Sequence, residues 1–393
     1  MTISKLMMVT NTSIALFIVV SVAPGFCQTT TLSKVQAYAQ VLSQAQADLD
    51  HGHVSEARKK LEAGDQSLRS FEYDYLMARA QAGTPGSAAP DLIRTVKAPE
   101  NVETRHGVLN EVDRQLAFIC RDGGIRIHDL NEPNAAPKVA ANGHGNAIWS
   151  AAFSRDGKTF VTGHEKGDVV VWDAKTWKVR HDVGLESARP VRELAVAPDG
   201  SAFAAEGKNE LELWTLVGEK PKKVAGLGER YNFGEGLAFS PRGDMIATGG
   251  MFDIEIRDAK TGEKTKSMRH ASYTMGLEFS PDGSRFASAP RGNVNKFLAV
   301  FDIEQGTQLF NAGPFGHYVA GMAFTPDGKR IAATGCERLL RLFDSTTGEI
   351  VLTWPRPECG AKPAFSRDGR LIGWSEPDGF KFIELGKRAD GGK

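Results

Sequence analysis

Histidine and cysteine are the side chains best suited to metal or nucleophilic chemistry, and the chain has nine of the first and four of the second. Their spacing does not support catalysis. His164-Glu165 begins a His-Glu-x-x-His zinc pair, but the second histidine is missing, and Gly143-His144-Gly145 leads into a strand rather than a helix. His144 and His164 can approach each other across one pair of loops, yet two imidazoles without a third ligand do not make a zinc site. Asp50, His51 and His53 read as a polar turn between helices. There is no Gly-x-Ser-x-Gly elbow and no Gly-x4-Gly-Lys-Ser/Thr phosphate loop. No catalytic residue, metal or cofactor is assigned from these residues.

Acids and bases balance at 48 each, so no overall field draws the chain to nucleic acid, which needs a basic footprint. Lys220, Lys222 and Lys223 form the densest basic cluster and read as a solvated loop. Residues 1–27 read as a secretory signal, with Lys5 as the positive end, Ile14 to Ala23 as the apolar stretch and Gly25-Phe26-Cys27 as the cleavage site. Asn11, Thr12 and Ser13 interrupt this segment short of the roughly 20 apolar residues that a membrane anchor needs. Phe26 is larger than the small residue expected before a lipidated cysteine, which weighs against lipidation of Cys27. The expected location is periplasmic or extracellular, with no integral membrane segment after cleavage. Cys120, Cys336 and Cys359 then remain, an odd number that leaves at least one free thiol or an intermolecular pair. A Cys336–Cys359 disulfide is geometrically open in the architecture below; inert thiols are the alternative.

These groups must be positioned by two kinds of element. Between residues 28 and 82 the apolar positions Val35, Ala39, Leu42, Ala45 and Leu49 fall at helical spacing. A second helix is expected from Ser55 as N-cap through Leu61, and a third element places Leu68, Phe71 and Tyr75 on one face. The small, Gly- and Pro-bearing stretch 83–90 suits a linker.

From residue 91 to 386 one unit recurs. Its turn glycines are Gly157, Gly200, Gly243, Gly283, Gly328 and Gly369, with Asp113 in the same place of a degenerate first copy, at intervals of 40 to 45 residues. That makes seven copies. Each has a short apolar strand such as Met322-Ala323-Phe324, and a turn such as Ser280-Pro281-Asp282-Gly283 that meets the demands of a type I turn. A second strand follows, then a third ending at His128-Asp129, Trp172-Asp173, Trp214-Thr215, Arg257-Asp258, Phe301-Asp302, Phe343-Asp344 or Ile383-Glu384. Such copies must stack to bury their apolar faces. The aspartates of the turns read as structural, because catalytic acids do not recur at every hairpin.

The pattern Phe153-Ser154-Arg155-Asp156-Gly157 through Trp172-Asp173, with Gly143-His144 ahead of it, resembles the WD40 family. The resemblance implies a mainly β fold, a seven-bladed β-propeller preceded by a short α-helical region. The Ala-rich helix pair is similar to a tetratricopeptide-type hairpin. Leu68 to Leu76 resembles a short Arg-x-aromatic-Glu-aromatic-x-Tyr-Leu segment found ahead of the repeats in some bacterial WD40 proteins. One departure is informative: Lys166 stands where the second blade should carry the aspartate of the family's His, Ser/Thr, Asp and Trp hydrogen-bonded set. His144 and His317 then read as structural remnants, and blade stability rests on apolar packing. The last copy lacks a fourth strand, and Leu92 to Lys97 is expected to supply it, since an open edge is a liability. Residues 387–393 form a charged, Gly-rich tail.

In a four-stranded meander the Asp-Gly turns mark one end, and the variable loops mark the other. The longest of those loops are Ala289 to Lys296 and Gly226 to Gly236. This second end carries Trp149, Arg189, Arg192, Arg230, Tyr231, Tyr273, Arg291, His317, Tyr318 and Arg338, rich in the Arg and Tyr that dominate binding hot spots. The binding residues expected are the arginine and tyrosine members. The function expected is an exported, non-enzymatic scaffold for a protein or peptide partner. The alternatives are an enzyme or cofactor-bearing propeller with its site at the central channel, and a binder of cell-surface polymer.

Overall fold

In the computed structural model, residues 26–385 are described apart from 83–92, 101, 133–134, 142–144, 186–188, 207–209, 230–235, 251, 270–273, 291–296, 317–318 and 356–361. The expected signal, linker and tail lie wholly or mostly outside the described residues. Among the described residues no helix is long and apolar enough to cross a membrane.

Short apolar strands joined by tight turns fold into seven four-stranded antiparallel sheets, the blades of a propeller. Blades 1 to 6 span residues 104–141, 148–184, 194–229, 237–269, 274–312 and 319–355, each with strands a to d in chain order from the channel outward. Blade 7 takes strands a to c from residues 364–384 and its outer strand from Ile93–Lys97, which pairs with the chain's last strand from Ile93 opposite Ile383 to Lys97 opposite Gly379. The expected ring closure is therefore present. Every expected third-strand ending is the end of a strand c.

The turns between strands a and b explain the recurring Asp-Gly pairs. In blade 5, Gly283 N–H donates to the Ser280 carbonyl at 2.8 Å, and Gly283 has a φ of +74° that an L side chain rarely adopts. Ser280 Oγ donates to Asp282, whose carboxylate also accepts the Ser284 N–H. Against the opposing effect of burial, these bonds hold the Asp282 carboxyl down at about 2. The first copy differs from expectation. There Arg114, not Asp113, takes the left-handed conformation, because the loop closes one residue later with Arg114 N–H on the Asn110 carbonyl.

Three helices precede the ring: α1 (Phe26–Asp50), α2 (Val54–Ala63) and α3 (Phe71–Ala82). Ser55 is not the N-cap of α2; His53 holds that place, and the Ser55 hydroxyl bonds Glu56 within the first turn. The helices share one core with blades 6 and 7. Phe71 packs edge-on against Trp354 and Phe365, and Tyr75 against Trp354. At the base of this contact Arg330 is buried between Glu72, at 2.7 Å, and Asp344, at 2.8 Å. The segment noted ahead of the repeats is thus a plug that seats the helices on the ring.

Candidate functional site

Strand a of each blade lines the channel, in register through Leu109, Phe153, Val196, Phe239, Phe279, Phe324 and Phe365. Four residues upstream of the first three stand Arg105, Trp149 and Arg192. The pairing of strands a and b skips a residue between Thr104 and His106 and again between Ile148 and Ser150. Arg105 and Trp149 are therefore bulge residues, and a bulge re-aims its side chain out of the alternating pattern. The outcome is a stack on the variable end: the Arg105 guanidinium lies 3.5 Å from the Trp149 ring centroid and that of Arg192 lies 5.1 Å from it. Trp149 Nε1 and Arg105 Nε are shielded from water without a hydrogen-bond partner. Burial, then the neighbouring charge of Arg121, lowers the Arg105 pKa.

Of the residues expected on this end, Trp149 and Arg192 come together. Arg189 is exposed just before strand a of blade 3, and Arg338 is exposed on blade 6 with a φ of +64°. Arg230, Tyr231, Tyr273, Arg291, Tyr318, His144 and His317 lie outside the described residues. Arg105 was missed by sequence reasoning, although its register with Trp149 and Arg192 was a signal that could have found it. Part of the long connection also differs, since Gly226 to Glu229 continue the outer strand of blade 3.

His164 is a correction. Expected on a loop near His144, it is fully buried at the end of a strand in blade 2. Trp172 Nε1 donates to Thr162 Oγ1 at 2.9 Å, and that oxygen lies 2.9 Å from His164 Nε2. The imidazole thus stands inside the structural network that Lys166 leaves without its aspartate. Among the described residues no group of three His, Cys, Asp or Glu side chains could hold a metal. Cys120 is a free buried thiol, pushed up to about 11 by burial, and Cys336 is disulfide-bonded; Cys359 lies outside the described residues.

Below the stack, the channel forms a cavity of about 510 Å³. One residue before the Phe279 position, where blades 2, 3, 4, 6 and 7 carry alanine, blade 5 carries Glu278. Lys362 of blade 7 reaches past blade 6 and donates to Glu278 at 2.8 Å. Gly321 makes this possible, because a Cβ there would lie 2.4 Å from the Lys362 Cα. The Lys362 side chain is enclosed by the ring, yet it is 63% exposed to the channel, so the pair is hydrated and contributes at most about 1 kcal/mol. Glu278 raises the lysine pKa despite desolvation, so Lys362 stays charged. His106 is held neutral, its pKa pushed down to about 4 by burial and then by Arg105.

At the other mouth, two residues after the phenylalanine position, blades 3 to 6 present Pro198, Pro241, Pro281 and Pro326. Blades 7, 1 and 2 present Arg367, Glu111 and Arg155.

The model "WD domain, G-beta repeat" matches residues 137–173 and 310–344. Those two segments resemble WD40 repeats. Each matched segment runs from the outer strand of one blade through strand c of the next, so the WD40 sequence unit is offset from the blade and ties neighbours together. The "Target of rapamycin complex subunit LST8" of Saccharomyces cerevisiae is 23% identical over 217 residues, 53% of this chain and 70% of that protein. The "Target of rapamycin complex subunit wat1" of Schizosaccharomyces pombe is 28% identical over 105 residues, 26% of this chain and 33% of that protein. "Protein tipD" of Dictyostelium discoideum is 22% identical over 334 residues, 82% of this chain but 52% of that protein. The chain thus spans about half or less of two of these three relatives. A chain in the "Crystal Structure of Mitotic Checkpoint Complex" superposes with a TM-score of 0.62 at 16% identity, covering 74% of this chain and 93% of that one. This likeness shows the shared propeller fold.

Proposed function

We propose that the protein is an exported, non-enzymatic interaction scaffold, and that a protein or extended peptide partner docks on the face bearing Arg105, Trp149 and Arg192. The observation that carries this reading is the Trp149 ring held between two guanidinium groups at the channel mouth. Trp and Arg are the residue types most enriched in hot spots, and a ring already stacked loses little freedom on binding. Two relatives named as complex subunits agree with a scaffold role. The charged groups in the channel do not favour acid-base catalysis, since Lys362 is kept protonated by Glu278 and the low pKa of His106 keeps it from titrating near neutrality. Export is supported by Lys5 followed by the apolar run from Ile14 to Ala23, and by the half-cystine at Cys336, a bond that persists in oxidising compartments.

The test captures partners from the exported fraction, identifies one by mass spectrometry and measures its affinity by calorimetry. Trp149→Ala combined with Arg192→Ala should weaken binding at least about tenfold, or 1.4 kcal/mol. An unchanged affinity in a folded double variant would remove this face from consideration. Amino-terminal sequencing of the exported protein should begin at Gln28.

A further inference from the structure

The lower mouth of the channel, on the side of the Asp-Gly turns, has a charge distribution that the scaffold role does not use. Four consecutive blades place proline on its rim, while the ionic groups that line the cavity at that level, Arg367, Glu111 and Arg155, fall on the arc formed by blades 7, 1 and 2. Within that arc Arg155 and Arg367 are exposed and line the cavity, and neither guanidinium makes an ion pair or hydrogen bond among the described residues. Arg285 of a neighbouring turn bonds the Ser345 carbonyl, Arg330 bonds Glu72, and Arg370 bonds the Leu385 carbonyl, while Arg242 of blade 4 is exposed but does not line the cavity. Glu111 stands between the two and pairs with neither, which leaves the arc with two positive groups against one negative.

The arc is also fixed in place. Arg367 N–H donates to the Glu111 carbonyl at 3.0 Å, tying the turn of blade 7 to that of blade 1. Asn110 Nδ2 donates to the Gly157 carbonyl at 3.1 Å and ties blade 1 to blade 2. The two arginines therefore project from turns that are already ordered, so little is lost on binding. Above them the walls are apolar, formed by Ala152, Phe153, Ala238, Phe239 and Ala323, up to the Lys362–Glu278 pair that spans blade 6.

We infer that this lower chamber binds a small apolar molecule carrying one carboxylate, with the acid held by Arg155 and Arg367 and the apolar body lodged among the alanine and phenylalanine side chains. Arginine forks match carboxylate geometry, and about 510 Å³ lies in the usual range of small-molecule sites. The net single positive charge of the arc suits a monoanion. The Lys362–Glu278 pair satisfies itself and adds no net charge to the chamber wall.

The test titrates the full-length protein with 4-phenylbutyrate by calorimetry, beside 4-phenylbutan-1-ol and butyrate. The acid should bind saturably at one site, with the alcohol and butyrate each at least about tenfold weaker. Arg155→Ala combined with Arg367→Ala should weaken the acid at least about tenfold, and Glu111→Gln should tighten it by removing the one repelling charge. Arg192→Ala, on the opposite face, should leave it unchanged. Because two variants move in opposite directions, loss of folding cannot mimic the pattern. No saturable binding, equal binding of the alcohol, or a double variant that binds as the parent does would overturn the assignment. Failure of the face around Trp149 would leave it standing.

Discussion

Arg330 Nη2 lies 2.7 Å from Glu72 Oε1, joining residues 258 positions apart in a place where the side-chain exposures are 2% and 0%. The same guanidinium reaches Asp344 and the Leu68 carbonyl, so one side chain fastens the helices to blade 6. Glu72, whose pKa is raised by burial against the pull of Arg330, pairs with no other cation among the described residues.

Arg330→Met should therefore cost about 3–5 kcal/mol, because it leaves two buried carboxylates facing each other. Adding Glu72→Gln should recover part of that loss. Urea denaturation gives the energies, and limited proteolysis of α1 to α3 reports whether the helices have come away. Equal stability of the single and double variants would show that Glu72 and Arg330 are not coupled.

His106 sets a pH dependence with a definite sign. The unfolded chain takes up this proton near 6.5, while the half-buried native imidazole resists it until about 4. Its contribution to stability is thus intact above about 6.5, falls as pH drops toward 4 by up to about 3 kcal/mol, and is level below that. His106→Asn should flatten the decline of urea midpoints between pH 7 and pH 4.5. If variant and parent lose stability in parallel across that range, the imidazole is not the cause.

Gly321→Ala would put a methyl group 2.4 Å from the Lys362 backbone. Blades 6 and 7 must then part, at a cost of about 1–3 kcal/mol, and the Lys362–Glu278 contact should lengthen. A crystal structure of the variant would show this directly. Retention of both the stability and the 2.8 Å contact would mean that the blades give way more easily than their packing implies.

Gly379 has a φ of +151°, and a Cβ there would lie 2.2 Å from the Val96 carbonyl oxygen. Gly379→Ala should therefore loosen the closing strand, seen as faster amide hydrogen exchange in residues 93–97 while blades 2 to 5 remain protected. Uniform exchange across all blades would argue that closure is not a separate unit.

The scaffold was legible because scaffold residues repeat. Gly157, Gly200, Gly243, Gly283, Gly328 and Gly369 all adopt the positive φ that their turns require. The closing strand could be foreseen because the last copy ended one strand short. The sites were less legible for the opposite reason: each depends on positions where a single blade departs from the others. Arg105 and Trp149 leave the strand alternation through bulges that no residue type announces. Glu278 and Lys362 are far apart in sequence and meet because of a glycine on a third blade. His164 read as a loop residue, and only packing shows that it turns inward.

The pairing of Ile93–Lys97 with the last strand also dictates an order of events during synthesis. The closing strand leaves the ribosome early and waits, without its partner, until residues 379–384 have been made. Blades 1 to 6 are complete in sequence by Pro355 and can form in turn, whereas blade 7 cannot. The plug around Glu72 faces the same wait, since Arg330 and Trp354 follow it by more than 250 residues. The chain's first described elements are thus its last to settle. Contacts of such long range are slow to form, and during that delay the unpaired strand is the place where a chaperone would find the nascent protein.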